Sequence, residues 1–231
     1  MRERAAPGRS HHAVDGLVRD GGSTSRRINY LSMPADWHTD PDDTDAYGRE
    51  LAEITVGELK PLNRQIELVD YEPTWPVLYD REAARIRSIL DDGVVRLEHV
   101  GSTSVPGLAA KPIIDIALEV PDSAAEADYV PALEAAGYTL TIREADWFEH
   151  RLFKGPDTNV NLHVFSTGCE EVDRMVLLRD WLRVNAEDRE LYARSKRTLA
   201  ARDWKYVQQY ADAKTSVVKE IMGRAQASRR S

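Results

Sequence analysis

The sequence predicts an α+β domain: a mixed β-sheet with flanking helices and a C-terminal helical segment that closes one side. Three observations lead there. Short apolar runs bounded by turn residues, at 94–100, 113–120 and 160–166, have the length and β-branched content of strands. Before the first of these runs, Tyr79, Ala83, Ile86 and Leu90 recur at i, i+4, i+7 and i+11, which is one buried helix face. From Val172 onward the pattern is helical to the end of the chain.

Taken in order, residues 1–34 mix Arg, Gly, Ser and His without hydrophobic period and read as a disordered tail, in which His11 and His12 are ordinary tail residues. Residues 35–65 form an acidic arm with a short helix. There DPDDTD leads into AYGRELAEI, Thr44 can cap, and Tyr47, Leu51 and Ile54 share one face. The domain proper spans 66–225, with 226–231 as a tail. Ile66, Leu68 and Val69 suggest a strand that Tyr71-Glu72-Pro73 ends. Thr74 and Pro76 then start a helix, with Trp75 as a core anchor at its entrance, and Asp91-Asp92-Gly93 stop it. Ser123 and Glu126 have capping-box spacing for a helix to about Ala136, which Pro131 kinks or splits in two. Strands at 138–143, 147–154 and 160–166 follow, the last two joined by the turn 155–159 and so antiparallel. RMVLLRDWLRV is one helix and Asn185 starts a second. A third, about 204–224, carries Val207, Tyr210, Val217 and Ile221 on one stripe.

At 231 residues the chain can bury one good core. Its net charge of −8 argues against general nucleic-acid binding. The charge is uneven: residues 170–231 carry 14 Lys+Arg against 10 Asp+Glu, so this segment is +4 on a body of −12 and could close over an anion. A single cysteine, Cys169, excludes an intramolecular disulfide and suits a reducing compartment. No apolar run reaches the length of a membrane span and the first residues lack a signal-peptide core, so the expectation is a cytoplasmic protein without membrane partners. Nothing in the sequence specifies an oligomeric state.

The chemistry concentrates in 94–120, VVRLEHVGSTSVPGLAAKPIIDIALEV. Gly101, Ser102, Thr103 and Ser104 follow a strand, where glycine and small hydroxyl residues let backbone N–H groups approach a phosphate. Asp115 interrupts an apolar strand, and a carboxylate there needs a metal, a cation or several donors. A loop that merely caps backbone groups, and an Asp at a solvated edge, are the plainer readings of the same residues. In NLHVF, Asn161, His163 and Phe165 share one strand face. If His163 faces Asp115, the two could hold a divalent ion or act as an acid–base pair, and either one is a candidate catalytic or metal-ligating residue. Basic residues that interrupt buried patterns, Lys111, Lys196 and Lys214, are candidate anion ligands together with Tyr210 and with Arg151, whose guanidinium suits bidentate recognition.

These residues also carry a resemblance. HVGSTSVPGLAAKPIIDI, residues 99–116, resembles the signature of the GrpB family, which is placed in the DNA polymerase beta-like nucleotidyltransferase superfamily. VDYEPTWP, FEHRLFKGP, NLHVF, RDWLR and YADAKT extend the likeness from about Ile66 to about Ala225. The resemblance implies phosphate binding at Gly101-Ser102 and a metal-binding carboxylate at Asp115, served by Mg²⁺ or another divalent cation. Where that superfamily places a second carboxylate, this chain has Ala117, and Glu119 on the same face lies about 6–7 Å further along the strand. The implied function is binding of a nucleotide or other phosphorylated small molecule, with nucleotidyl transfer through an incomplete metal site. The alternatives are a non-catalytic nucleotide or anion sensor, and an accessory to coenzyme A biosynthesis, since GrpB-like domains also occur fused to dephospho-coenzyme A kinases.

Overall fold

Five strands order the molecule. In this computed structural model, which describes residues 44–230, they are β1 (Arg96–Val100), β2 (Ile114–Val120), β3 (Thr139–Glu144), β4 (His150–Lys154) and β5 (Val160–Ser166). They form one mixed sheet in the order β1-β2-β5-β4-β3. The β2–β5 pair is parallel and the other three are antiparallel. The predicted tail 1–34 and the first part of the predicted arm, 35–43, lie outside the described residues.

Because side chains alternate along a strand, each strand divides its residues between two faces. Ile114, Ile116, Leu118 and Val120 of β2 share a face with Leu162 and Val164 of β5 and Phe153 of β4. Helix α2 (Trp75–Leu90) and the short α3 (Val130–Ala135) cover it, bringing Trp75, Ala83, Ile86 and Leu133 into one cluster. Ile116, Leu118 and Leu162 are fully buried, each contributing about 1.5–3 kcal/mol by removal from water. The opposite face carries Asp115, Ala117 and Glu119 of β2, Asn161, His163 and Phe165 of β5, and His150 and Lys154 of β4. Part of it is sealed by α4 (Glu170–Val184), where Ala117, Phe165, Val172 and Met175 pack together. The rest is left open as a cavity.

The C-terminal helices close that cavity. Helix α4 is followed by α5 (Ala186–Ala200), which Asn185 caps by accepting the N–H of Asp188 at 2.9 Å. The expected single helix 204–224 is two: α6 (Val207–Asp212) and α7 (Thr215–Arg229). Its stripe does not exist, since Tyr210 packs with Trp204, Val217 and Ile221 pack against α4 and α5, and Val207 is exposed. The break sets Lys214 at the junction. Because α7 runs to Arg229, the expected tail at 226–231 is mostly helix.

Two other expectations change. Residues 66–69 are extended but make only an isolated bridge, Val69 to Ala110, because the loop that passes there is their only sheet-like partner among the described residues. Ser123 and Glu126 form no capping box: Ser123 is hydrogen-bonded to Ser166, and Glu126 is taken by two arginines. A 3₁₀ turn (Glu126–Asp128) precedes α3, with Pro131 in its first turn, so the split reading of this segment is the right one. The arm helix forms as α1 (Thr44–Ile54), with Tyr47 and Leu51 buried.

Candidate anion-binding site

The open part of the second sheet face is the floor of a cavity of about 990 Å³, bounded by the loop after β1, the helices α5 and α6, and the arm. Gly101, Ser102 and Thr103 lie on its rim with Lys111, and Asp115 and His163 on its floor. Lys196, Tyr210 and Lys214 enter from the C-terminal helices. Residues from separate elements therefore converge as the sequence predicted, with two exceptions.

The first is Arg151. It alternates with His150 and Leu152 and so points to the opposite, helix-covered face, where its Nε donates to Glu126 at 2.5 Å. The second is Ser104, which is buried under the loop, its hydroxyl donating to the Gly101 carbonyl at 2.6 Å. Thr103 is also spent on loop structure, donating to the Ile113 carbonyl while His99 Nε2 sits 3.1 Å from its hydroxyl. His99 itself lies on the helix-covered face, stacked on Tyr79, and burial pushes it down to about 4. Gly101 has φ +69, and a Cβ there would collide with Oδ2 of Asp115. Only glycine brings the loop this close to the carboxylate.

Asp115 is the shared counter-charge of the cavity. Burial opposes its ionisation, but His163, the amide of Asn161 (2.7 Å) and the charge of Lys111 hold its carboxyl below the ordinary value. Around it stand four lysines, Lys111, Lys154, Lys196 and Lys214, and its charge favours the protonated form of each. None of the four forms an ion pair with a carboxylate among the described residues. Lys154 donates to the side-chain oxygen of Asn161, and Lys196 donates to the Ala109 carbonyl at 2.5 Å. Lys214 and Lys111 lie 4.7 and 5.6 Å from the centre of the Tyr210 ring, and Lys196 is 5.2 Å from that of Tyr192. Burial, then mutual repulsion, pushes Lys111 down to about 8 and Lys196 well below its ordinary value. Four lysines share Asp115 as a counter-charge, with Asp212 also acting on Lys214, so the lysine cluster is short of negative charge. Tyr210 adds a buried hydroxyl with no hydrogen-bond partner among the described residues, a condition costing about 1–3 kcal/mol.

Behind the floor runs a buried chain of polar side chains. Glu144 accepts from His150 Nδ1 at 2.6 Å, His150 Nε2 lies 3.0 Å from His163 Nδ1, and His163 Nε2 lies 3.9 Å from Asp115. With His150 donating to Glu144, its Nε2 must accept from His163. Asp115 and His163 thus face each other across neighbouring strands, and His163 is oriented by residues two strands away.

The donor set does not build a two-metal clamp. Ala117 is fully buried in the apolar cluster under α4. Glu119 accepts the N–H groups of Gly168 and Cys169, both at 3.1 Å, and so caps the start of α4. Among the described residues no group of three or more His, Cys, Asp or Glu is arranged to hold a metal, and four lysines beside Asp115 oppose a cation. Lys154 and Glu144 are site residues that sequence reasoning missed. The alternation His150-Leu152-Lys154, set beside the turn to Asn161, carried the signal for Lys154.

The family is decided by similarity over the segment that builds this cavity. The sequence profile described as GrpB protein matches residues 65–224. The chain belongs to the GrpB family. A UPF0157 protein of Halalkalibacterium halodurans is 65% identical over 179 residues, covering 78% of this chain and 92% of that one. The crystal structure of the conserved GrpB protein from Enterococcus faecalis matches with a TM-score of 0.63 at 28% identity, over 71% of this chain and all of that one. A dephospho-CoA kinase of Mycolicibacterium paratuberculosis is 28% identical over 163 residues, which cover 59% of this chain and 40% of that protein. The GrpB signature loop is thus the rim of the lysine-rich cavity.

Proposed function

We propose that this GrpB protein binds a phosphorylated small molecule, a nucleotide or a compound of similar charge, with its phosphates among Lys111, Lys154, Lys196 and Lys214 and against the Gly101–Ser102 loop. The observation that carries the reading is the four lysines gathered round Asp115 in a cavity of ligand size. A phosphate supplies the missing negative charge, and its oxygens accept from lysines that otherwise repel one another. Asp115 and His163 give the floor an acid–base pair next to the phosphates. Nucleotidyl transfer of the two-metal kind is not assigned, because Ala117 and the capping Glu119 leave Asp115 without a carboxylate partner.

The test is a thermal-shift screen of the full chain with phosphate, pyrophosphate and nucleotides, with Mg²⁺ or Mn²⁺ varied separately. A ligand at about 100 times its Kd raises stability by about 2.7 kcal/mol. The Lys111→Met, Lys214→Met double variant should fold and lose the shift. A shift that survives in the double variant places the anion elsewhere and overturns the reading. The kinase relative favours a second reading, an accessory role in coenzyme A biosynthesis. Dephospho-coenzyme A in the same screen, with co-purification of the kinase, tests it, and neither binding nor complex would end it.

A further inference from the structure

The four lysines that share Asp115 gather at the floor of the cavity. Its outer wall comes from the arm, which lies before residue 65, where the family match begins. After α1 the chain is tied to the sheet: Thr55 bridges Ile142 of β3, and the Val56 N–H donates to the Thr141 carbonyl at 2.9 Å. It is tied again at the C-terminal helices, where the Leu62 N–H donates to the Lys205 carbonyl at 2.7 Å and Arg64 bridges Trp204. Between these ties residues 57–61 span the cavity's outer side as a strap. Helix α1 anchors the strap through the Tyr47 hydroxyl, which donates to Asp212, and an Asp45–Lys205 ion pair of 2.9 Å.

The strap side of the cavity is mixed: Glu58, Lys60 and Arg64 line it together with a set of apolar side chains. Leu51, Val56, Leu59 and Leu62 line the cavity on the arm side, next to Ile142, which Thr55 bridges. Leu59 packs on the Tyr47–Leu51 cluster, and Leu62 on the Trp204–Tyr210 cluster, whose Tyr210 ring lies beside Lys111 and Lys214. Val56 is partly exposed and its side chain is held by no cluster. A bare anion would use the lysine cluster and leave this wall wet.

Resting on the phosphate reading above, we infer that the ligand is two-ended: phosphate groups at the lysines and an apolar body, aliphatic or flat aromatic, lodged under the strap. The arm then sets specificity, while the family's loop and lysines set the requirement for phosphate. Burying about 60 Å² of apolar ligand surface under the strap is worth about tenfold in affinity.

The experiment is calorimetric titration of the full chain with three probes of like phosphate charge: pyrophosphate, ADP and geranyl diphosphate. The expected result is that at least one organic diphosphate binds about tenfold more tightly than pyrophosphate. Val56→Asp should erase that margin and leave pyrophosphate binding unchanged, and this position tolerates a charge because it is already partly exposed. Leu59→Ser is the second variant, accepted only if its melting curve remains cooperative. Equal affinity for all three probes, or equal loss of all three in the strap variants, overturns the two-ended ligand while leaving the lysine site standing. Failure of every probe to bind overturns the phosphate reading itself, a result the Lys111→Met, Lys214→Met comparison identifies separately.

Discussion

The two faces of the sheet are built from the same strands and obey different rules. On the helix-covered face Ile114, Ile116, Leu118, Leu162 and Val164 close against α2 and α3, and the main ionic feature, Arg151 with Glu126, lies at the edge. On the cavity face, one residue along each strand, stand Asp115, Asn161, His163, His150 and Lys154. The first face spends its residues on stability. The second keeps like charges together at a cost that the first must cover. Alternation along a strand is enough to separate the two roles by a single residue.

Substitutions should expose this division. Leu162→Ala on the covered face should destabilise by about 2–5 kcal/mol with pyrophosphate affinity unchanged in the fraction that stays folded, read by urea unfolding and calorimetry. Asp115→Asn on the cavity face should lower the melting temperature of the empty protein, because four lysines lose their common counter-charge, and should tighten pyrophosphate binding. Loss of both stability and binding would show instead that Asp115 engages the ligand, through a metal or a proton.

A pH titration sharpens the comparison further. Lys111 is pushed down to about 8 from 10.5 by burial and by Lys214. Between those values the unfolded chain binds more protons than the folded one, so Lys111 makes the empty protein more stable as pH rises from about 8 toward 10.5. Phosphate binding should run the other way, weakening above about 8 as the ammonium is lost. In Lys111→Met both trends should shrink, and a pH profile identical to wild type would remove Lys111 from the site. The smallest effect belongs to Arg151→Met. Its partner Glu126 also pairs with Arg143, so the loss in stability should be of order 1 kcal/mol, with anion binding untouched.

How far the sequence reveals this site depends on which contacts are local. The period of IIDIALEV places Asp115 opposite Ile114 and Ile116, and the NLHVF run places His163 with Asn161, so one glance at alternation finds the floor. Lys111 and Lys196 were legible because each interrupts a buried pattern, whereas Lys214 was singled out on a stripe that the break between α6 and α7 removes. Arg151 misled because its chemistry suits phosphate, while its face depends on the β4–β5 register, a non-local property. Lys154 shares the alternation of His150 and Leu152, a signal left unused, and Glu144 is joined to the site through two histidines on other strands. The break at 213–214 was invisible for a related reason: Asp212 is held by Tyr47 from the far end of the chain, which no periodicity within the helix records.

That last bond has a consequence for the order in which the molecule is made. Tyr47 and Asp212 are 165 residues apart, and Asp45 and Lys205 are 160 apart. At ordinary translation rates the strap leaves the ribosome roughly 10–30 s before its anchors exist. Lys196 and Lys214 come late as well, so a nascent chain can complete the sheet with Asp115, Lys111 and Lys154 in place and still lack half of the lysines and the fixing of its outer wall. The complete lysine cluster is therefore the last feature this chain acquires during synthesis, arriving only when α6 and the start of α7 have emerged.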